Sequence, residues 1–522
     1  LNGSEEEMTA AVAPEADLLS SQFRQRSSWQ WGVLAFLLLG YTALFFRYYP
    51  PIPGIEDEIG FINQGAIFSH GSISAEGAGF HDVSDFVEVA GRHVSWRNPG
   101  RSLLIVPFWI IGGVHAIYAS GLVIHIAIVL VGASLFQRLI GRPLWAVLLL
   151  CHPTLAIYSR TIMGDAPAGL FLLAAVYAAT TARHPGRWAG LWVGVAAIMR
   201  YQAGIVLPFI ALAIAFSSGD EADPKRRRLE GLTCLIAGGA VAVVIVIFNL
   251  IVFHNPIGWS KQGYFSAQFI LPNLIFYTQA LCVLWPLMLV APFFCARRLR
   301  WAVLAVVCPV LLTFVFYYFH DKSPSFVQTL VLGQRLIQPA IPAWVIAYGV
   351  ALDRLLGMAS GRLRGRAPSA RQQPRDRAIA IAGCLLLLVV TAGLFRKHQE
   401  HLLELRAAQN DIAAGVPAGS VLVANSTATK LFGVVEGTGS RYQLLQYDYS
   451  GAPIDNRAAL DGLKTPFYLA VLPKAAGGEI PDLLNQYIQR YSMTPLKAGG
   501  LLKLYVSGGT GVGRKRATSN EQ

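Results

Sequence analysis

The chain has 522 residues, of which 54% are hydrophobic and only 14% charged, with a mean hydropathy of +0.46. Such a make-up lies outside that of an average soluble domain and names a bilayer as the solvent. The net charge of +13 does not mark a nucleic-acid binder, because the basic residues fall in short runs between apolar segments and not on one folded face.

In chain order, residues 1–27 are polar and read as a disordered cytoplasmic N-terminus. No cleavable signal peptide is expected, since the first apolar run follows them without a small-residue cleavage site. A hydrocarbon core of about 30 Å needs roughly 20 apolar residues per helix, and about eleven such runs follow. They are 29–46, 115–137, 143–158, 165–182, 188–199, 203–217, 231–253, 270–295, 301–319, 337–354 and 379–395. Arg200 interrupts what would otherwise be one long run over 188–217, which predicts a helical hairpin bent at Arg200-Tyr201-Gln202. Cys151, Cys234, Cys282, Cys295, Cys308 and Cys384 lie in or beside apolar runs, so neither a disulfide framework nor a zinc site is indicated.

Basic loops alternate with less basic ones, as short cytoplasmic loops require. Arg24 and Arg26, Arg138 and Arg142, Arg183 and Arg187, Lys225 to Arg228, Arg297 to Arg300, and the cluster from Arg354 to Arg377 fall on one side. This parity needs the hairpin at Arg200, and it puts the loops 47–114, 159–164, 254–269 and 320–336 outside. Residues 28–395 thus read as a transmembrane module with a long first outward loop.

Residues 396–508 differ in kind and read as a small extracytoplasmic α/β domain, followed by a disordered tail over 509–522. An amphipathic helix is expected over Leu402 to Ala414, and strands at 420–424, 442–447, 467–472 and 501–506, with a helix over Ile480 to Tyr491. Asn425-Ser426-Thr427 has the form of a glycosylation acceptor, a triplet that also arises by chance.

Several polar residues are not explained by composition. The first outward loop opens with Pro50, Pro51 and Pro53 and then Glu56-Asp57-Glu58. Apolar residues continue through it, which predicts surface helices that hold the acids in place. The acids could equally be first-turn charges favoured by a helix dipole. Arg97-Asn98-Pro99-Gly100-Arg101 follows; two guanidiniums can clamp a phosphate, or Trp96 and the arginines can anchor at headgroup depth. His152-Pro153, Arg160 and Asp165 cluster about the second outward loop, and Arg200, Lys261, His320 and Arg335 fall on the same side. Ionisable groups converging on one face suggest a site.

This order of motifs resembles the polyprenyl-phosphate-sugar-dependent glycosyltransferases of the GT-C superfamily, including protein O-mannosyltransferases and the lipid A aminoarabinose transferase. The resemblance covers about residues 29–355, on Asp57-Glu58, Arg97-Asn98-Pro99, His152-Pro153 with Arg160 and Asp165, the small-residue helix from Gly190 to Arg200, and Arg335 with Pro339 and Pro342. The family more often has a lysine at the position of Arg97, and two prolines where this chain reads Asn-Pro-Gly. The resemblance implies a polytopic GT-C fold and inverting transfer of a sugar from a polyprenyl-phosphate donor to a lipid, glycan or protein acceptor, outside a bacterial inner membrane. Asp57 would be the general base with Glu58 beside it, and Asp165 would orient a basic neighbour or bind acceptor. Arg97, Arg101 and Arg335 would hold the phosphate; Arg160, Arg200, Lys261 and His320 are further candidates. Asp57 and Asp165 are carboxylates of the kind that suit a divalent cation, but so small a ligand set predicts no metal. A lipid-linked oligosaccharide polymerase or ligase would place its large loop late in the chain, and a secondary transporter would show repeated halves. Both stand as alternative readings, the transporter the weaker one; the early place of the long loop favours the transferase.

Overall fold

The computed structural model describes residues 28–75, 85–216, 223–258, 265–317, 326–359, 372–425, 431–432, 434, 441–449, 452–453, 455–463, 465–472, 482–499 and 502–508. Lys261 and His320, both site candidates, lie outside these residues. The chain forms two compact units, one of residues 1–49 with 98–398, the other of 50–97 with 399–522.

The first unit is helical. Among the described residues, seven helices are long and apolar enough to cross a membrane: Ser28–Arg47, Ala119–Ile140, Pro224–Phe253, Ala267–Leu284, Arg297–Val315, Thr329–Met358 and Arg377–Gly415. They match seven of the eleven expected runs. The other four, 143–158, 165–182, 188–199 and 203–217, fold as shorter pieces. Asp165–Thr181 and Pro185–Met199 are single helices of 17 and 15 residues. The run 143–158 breaks into Pro143–Ala146, Val147–Leu150 and Pro153–Tyr158. Pro153 is the cause: it holds His152 in an extended conformation and stops the preceding helix. The expected hairpin is present, with Pro185–Met199 and Val206–Phe216 joined through an extended Arg200 and a short 3-10 turn, Tyr201–Ile205.

Large apolar side chains stay exposed along these helices, among them Leu39, Ile236, Val244, Ile251, Leu386 and Val389. In water such surface would be unfavourable; against lipid tails it costs nothing. Helix packing relies instead on small residues. Gly186, Gly190 and Gly194 recur at four-residue spacing along Pro185–Met199 and meet the backbone of Pro224–Phe253 so closely that a Cβ at Gly194 would stand 2.9 Å from the Gly238 carbonyl oxygen. Bare glycine faces of this kind let two backbones approach where no hydrophobic effect drives them together.

Two features of the helices depart from expectation. Pro99–Gly112, assigned to the outward loop, is a 14-residue apolar helix. The last span and the amphipathic helix after it are one helix of 44 residues, Gln372–Gly415. The polar stretch from Arg396 to His401 does not break it, since Arg, Lys, Gln and Glu are good helix formers.

The second unit carries nine strands among its described residues: β1 Phe86–Val89, β2 Arg92–Ser95, β3 Val421–Ala424, β4 Gln443–Gln446, β5 Asp448–Tyr449, β6 Ala452–Pro453, β7 Tyr468–Val471, β8 Thr494–Gly499 and β9 Leu502–Val506. Five form one mixed sheet in the order β4-β3-β7-β9-β8, parallel between β4, β3 and β7 and antiparallel thereafter. The two faces of β3 separate by the period of a strand. Leu422 and Ala424 join a core with Leu402, Leu405, Ala408 and Ile412 of the long helix and with Ile52. Val421 and Val423 join another with Leu460, Met493 and Tyr487, the last carried by the helix Asp482–Arg490. Asn425 at the end of β3 is buried, and its amide bonds the Leu472 carbonyl at 2.5 Å. It serves as a latch between strand ends.

Candidate active site

In the second unit, three prolines lead into the helix Glu56–Ser69, and the three acids fill its first turn. A carboxylate there gains from the unpaired N–H groups and the dipole. The acids then diverge in role. Glu58 is fully buried, and its Oε1 accepts the Gly54 and Ile55 N–H groups, each at 2.9 Å. It turns back to cap its own helix, the return half of a capping box. Asp57 stays partly exposed, with 23% of its side chain open, and forms an ion pair with Arg97.

The hairpin β1-β2 supplies Arg97. Val89 pairs with Arg92 across the two-residue turn Ala90-Gly91, and both turn residues have positive φ, 52° and 76°. That conformation matches the twist of paired strands and favours glycine or asparagine. The register puts Phe86 opposite Ser95, which brings Asp85, just before β1, beside Trp96 and Arg97, just after β2. The Trp96 N–H donates to the Asp85 carbonyl at 3.1 Å, and Arg97 Nη2 donates to Asp85 Oδ1 at 2.8 Å. The guanidinium lies over the Trp96 ring, 4.2 Å from its centroid, a favourable face for a cation. Arg97 therefore stands between two carboxylates, Asp57 and Asp85. Burial works against its charge, but Asp57 and then Asp85 outweigh that and hold its pKa above the ordinary guanidinium value.

Asp85 was not singled out in the sequence. The signal that could have found it is the alternation of Phe86 to Ser95 about Ala90-Gly91, a hairpin pattern with an uncommon turn pair. Its place is also enforced by Gly60, because a Cβ there would stand 2.5 Å from Asp85 Oδ2 and 2.6 Å from Asp85 Cβ.

In the first unit, Asp165 opens the helix Asp165–Thr181 and pairs with Arg200 at the bend of the hairpin. The Arg200 guanidinium also lies 4.8 Å from the Phe314 ring centroid. The Asn98 side-chain carbonyl, in the amide orientation that satisfies both groups, accepts the Tyr201 N–H at 2.5 Å and the Arg200 N–H at 3.2 Å. Asn98 thus stabilises the bend. Arg101 is buried and donates to the Thr161 carbonyl at 3.4 Å. Arg335 is half-buried in the 3-10 stretch Gln334–Ala340. Arg160 is buried and tied to the backbone: it bonds the carbonyls of Tyr48 and, at 3.1 Å, Phe395, with His398 Nδ1 at 2.9 Å. Its geometry is that of a cross-link from the end of the first span, at Tyr48, to the middle of the long helix Gln372–Gly415. His152 is buried and stacked on Trp285.

Asp57 and Asp165 are each engaged by a guanidinium. Among the described residues, no group of three or more His, Cys, Asp or Glu side chains is placed to hold a metal ion. The donor set is one of ion pairs.

No protein-family model and no curated protein sequence matches this chain. Among solved structures, the crystal structure of ArnT from Cupriavidus metallidurans bound to undecaprenyl phosphate aligns with a TM-score of 0.56 at 14% identity, over 91% of this chain and 98% of that one. The cryo-EM structure of the arabinofuranosyltransferase AftD from Mycobacteria aligns with a TM-score of 0.46 at 13% identity, over 92% of this chain and 40% of that one, too weakly to carry an argument. At such identity the likeness to ArnT speaks of a shared fold and not of chemistry.

Proposed function

We propose that the chain is a membrane glycosyltransferase that moves a sugar from a polyprenyl-phosphate donor to an acceptor hydroxyl, with inversion, on the extracytoplasmic side of a bacterial inner membrane. The observation that carries the reading is the Asp57–Arg97–Asp85 constellation at the start of a proline-led helix. It sets a carboxylate that can take a proton beside a guanidinium that can take a phosphate. The likeness of fold to ArnT, crystallised with undecaprenyl phosphate, supports the choice of donor class.

In this reading Asp57 accepts the proton of the acceptor hydroxyl as its oxygen attacks the anomeric carbon. The bond from that carbon to the phosphate oxygen breaks, and its electron pair leaves with the polyprenyl phosphate. Arg97 meets the growing charge on the leaving group, a contribution made where charge develops. Asp165, through its pair with Arg200, is proposed to orient that arginine toward acceptor. Glu58 acts by holding the helix start that presents Asp57.

Incubating the purified chain in detergent with labelled polyprenyl-phosphate sugars tests the reading. Release of free polyprenyl phosphate that requires an acceptor is the expected result. A chain that transports or polymerises lipid-linked glycans and never releases the monophosphate contradicts it.

A further inference from the structure

One arginine nitrogen, Arg97 Nη2, serves both Asp57 and, at 2.8 Å, Asp85. Both carboxylates hold this one guanidinium, and an arriving phosphate anion must compete with them for it. Only 3% of the Asp85 side chain is exposed. The β1-β2 register and the close face of Gly60 hold it in place. A carboxylate so fixed is not free to swing away when another anion arrives; the guanidinium, on its long side chain, is the part that can move.

We propose that Asp85 is a positioning residue: it competes with the donor phosphate for Arg97, so that phosphate binding draws the guanidinium from its carboxylates and leaves Asp57 open to the acceptor proton. This rests on the donor reading above and adds to it an order of events. The base is screened by its ion pair until the leaving group is seated, which couples proton abstraction to the presence of donor. A ligand that binds one arrangement better than the other shifts the balance by that difference alone. Asp85 sets the size of that difference.

The full chain in detergent is titrated with undecaprenyl phosphate, reading the emission of Trp96, whose ring lies against the Arg97 guanidinium, with Trp96→Phe as the blank. Asp85→Asn keeps the shape and removes the competing charge. It is expected to bind the lipid phosphate about ten-fold more tightly while turning over donor about ten-fold more slowly, because the product, polyprenyl phosphate, then leaves Arg97 that much more slowly. Gly60→Ala displaces Asp85 without altering its charge and is expected to tighten binding in the same direction by a smaller factor. Arg97→Ala is expected to weaken binding more than ten-fold. Affinity and turnover moving in opposite directions cannot come from a merely structural loss, which lowers both. If Asp85→Asn and Gly60→Ala bind as the wild type does or more weakly, while Arg97→Ala still loses affinity, the competition is refuted and the donor reading stands. A wild-type chain whose emission and turnover do not respond to polyprenyl phosphates refutes both.

Discussion

The pair between Asp165 and Arg200 lies at a helix start and a hairpin bend, with side-chain exposures of 5% and 14%. Removing one member leaves the other charge buried at the end of a span without its partner, which typically costs about 3–5 kcal/mol. Asp165→Asn should lose toward the lower end of that range, since Arg200 keeps the Phe314 ring beneath it. Arg200→Gln should lose toward the upper end, because the buried carboxylate then loses its ion-pair partner. The double variant Asp165→Asn/Arg200→Gln has no stranded charge and should recover about 2–3 kcal/mol relative to the sum of the singles. The four proteins are compared by thermal unfolding in one detergent at one pH, with the retained monodisperse fraction as a second readout. Strict additivity, with the double variant as damaged as the two singles together, would refute the assignment of a coupled buried pair.

Other expectations follow from single contacts. Gly190→Leu should abolish stable expression or cost about 3 kcal/mol or more, since its Cβ would collide with the Cys234 carbonyl across the helix pair; normal unfolding of that variant would contradict the packing. Ala90→Asn places a residue tolerant of positive φ at the first turn position of β1-β2 and should stabilise by about 0.5–1 kcal/mol, read as a small rise in melting temperature. Glu58→Gln and Asp57→Asn should cross over: the Glu58 variant loses more stability because it disturbs the cap over Gly54 and Ile55, and the Asp57 variant loses more turnover. Ser369→Cys in the basic stretch 362–377 should react only with membrane-permeant thiol reagents, and Gln489→Cys with impermeant ones as well; equal outside labelling of both would overturn the proposed orientation.

Much of the helical module was legible because the bilayer imposes its length on apolar runs. The bend at Arg200 was legible for the same reason, since a charge and a run too long for one span had to be reconciled. What failed were features that local composition does not encode. The break at His152 depends on one proline acting on the residue before it, and the continuous Gln372–Gly415 helix depends on polar residues that punctuate hydropathy without disfavouring helix. At the candidate site, the nearness of Asp57 to its helix start could be read from the three prolines, but its ion pair with Arg97, 40 residues on, is tertiary. Asp85 owes its place to a hairpin register, of which only the alternation about Ala90-Gly91 shows in the sequence, and to a glycine on another element. Arg160 is a site candidate by position and type, and its contacts with the Tyr48 and Phe395 carbonyls are tertiary.

Proton abstraction by Asp57 is tested most directly by single-turnover transfer from a labelled polyprenyl-phosphate sugar, comparing the wild type with Asp57→Asn at equal donor occupancy. The substitution keeps the size of the side chain and one acceptor oxygen for Arg97 but removes the base. The expected result is a fall of about 10²–10⁴-fold in the transfer step, with polyprenyl phosphate bound at least as well as before and melting close to wild type. Transfer at an undiminished rate by a folded Asp57→Asn protein would contradict the mechanism.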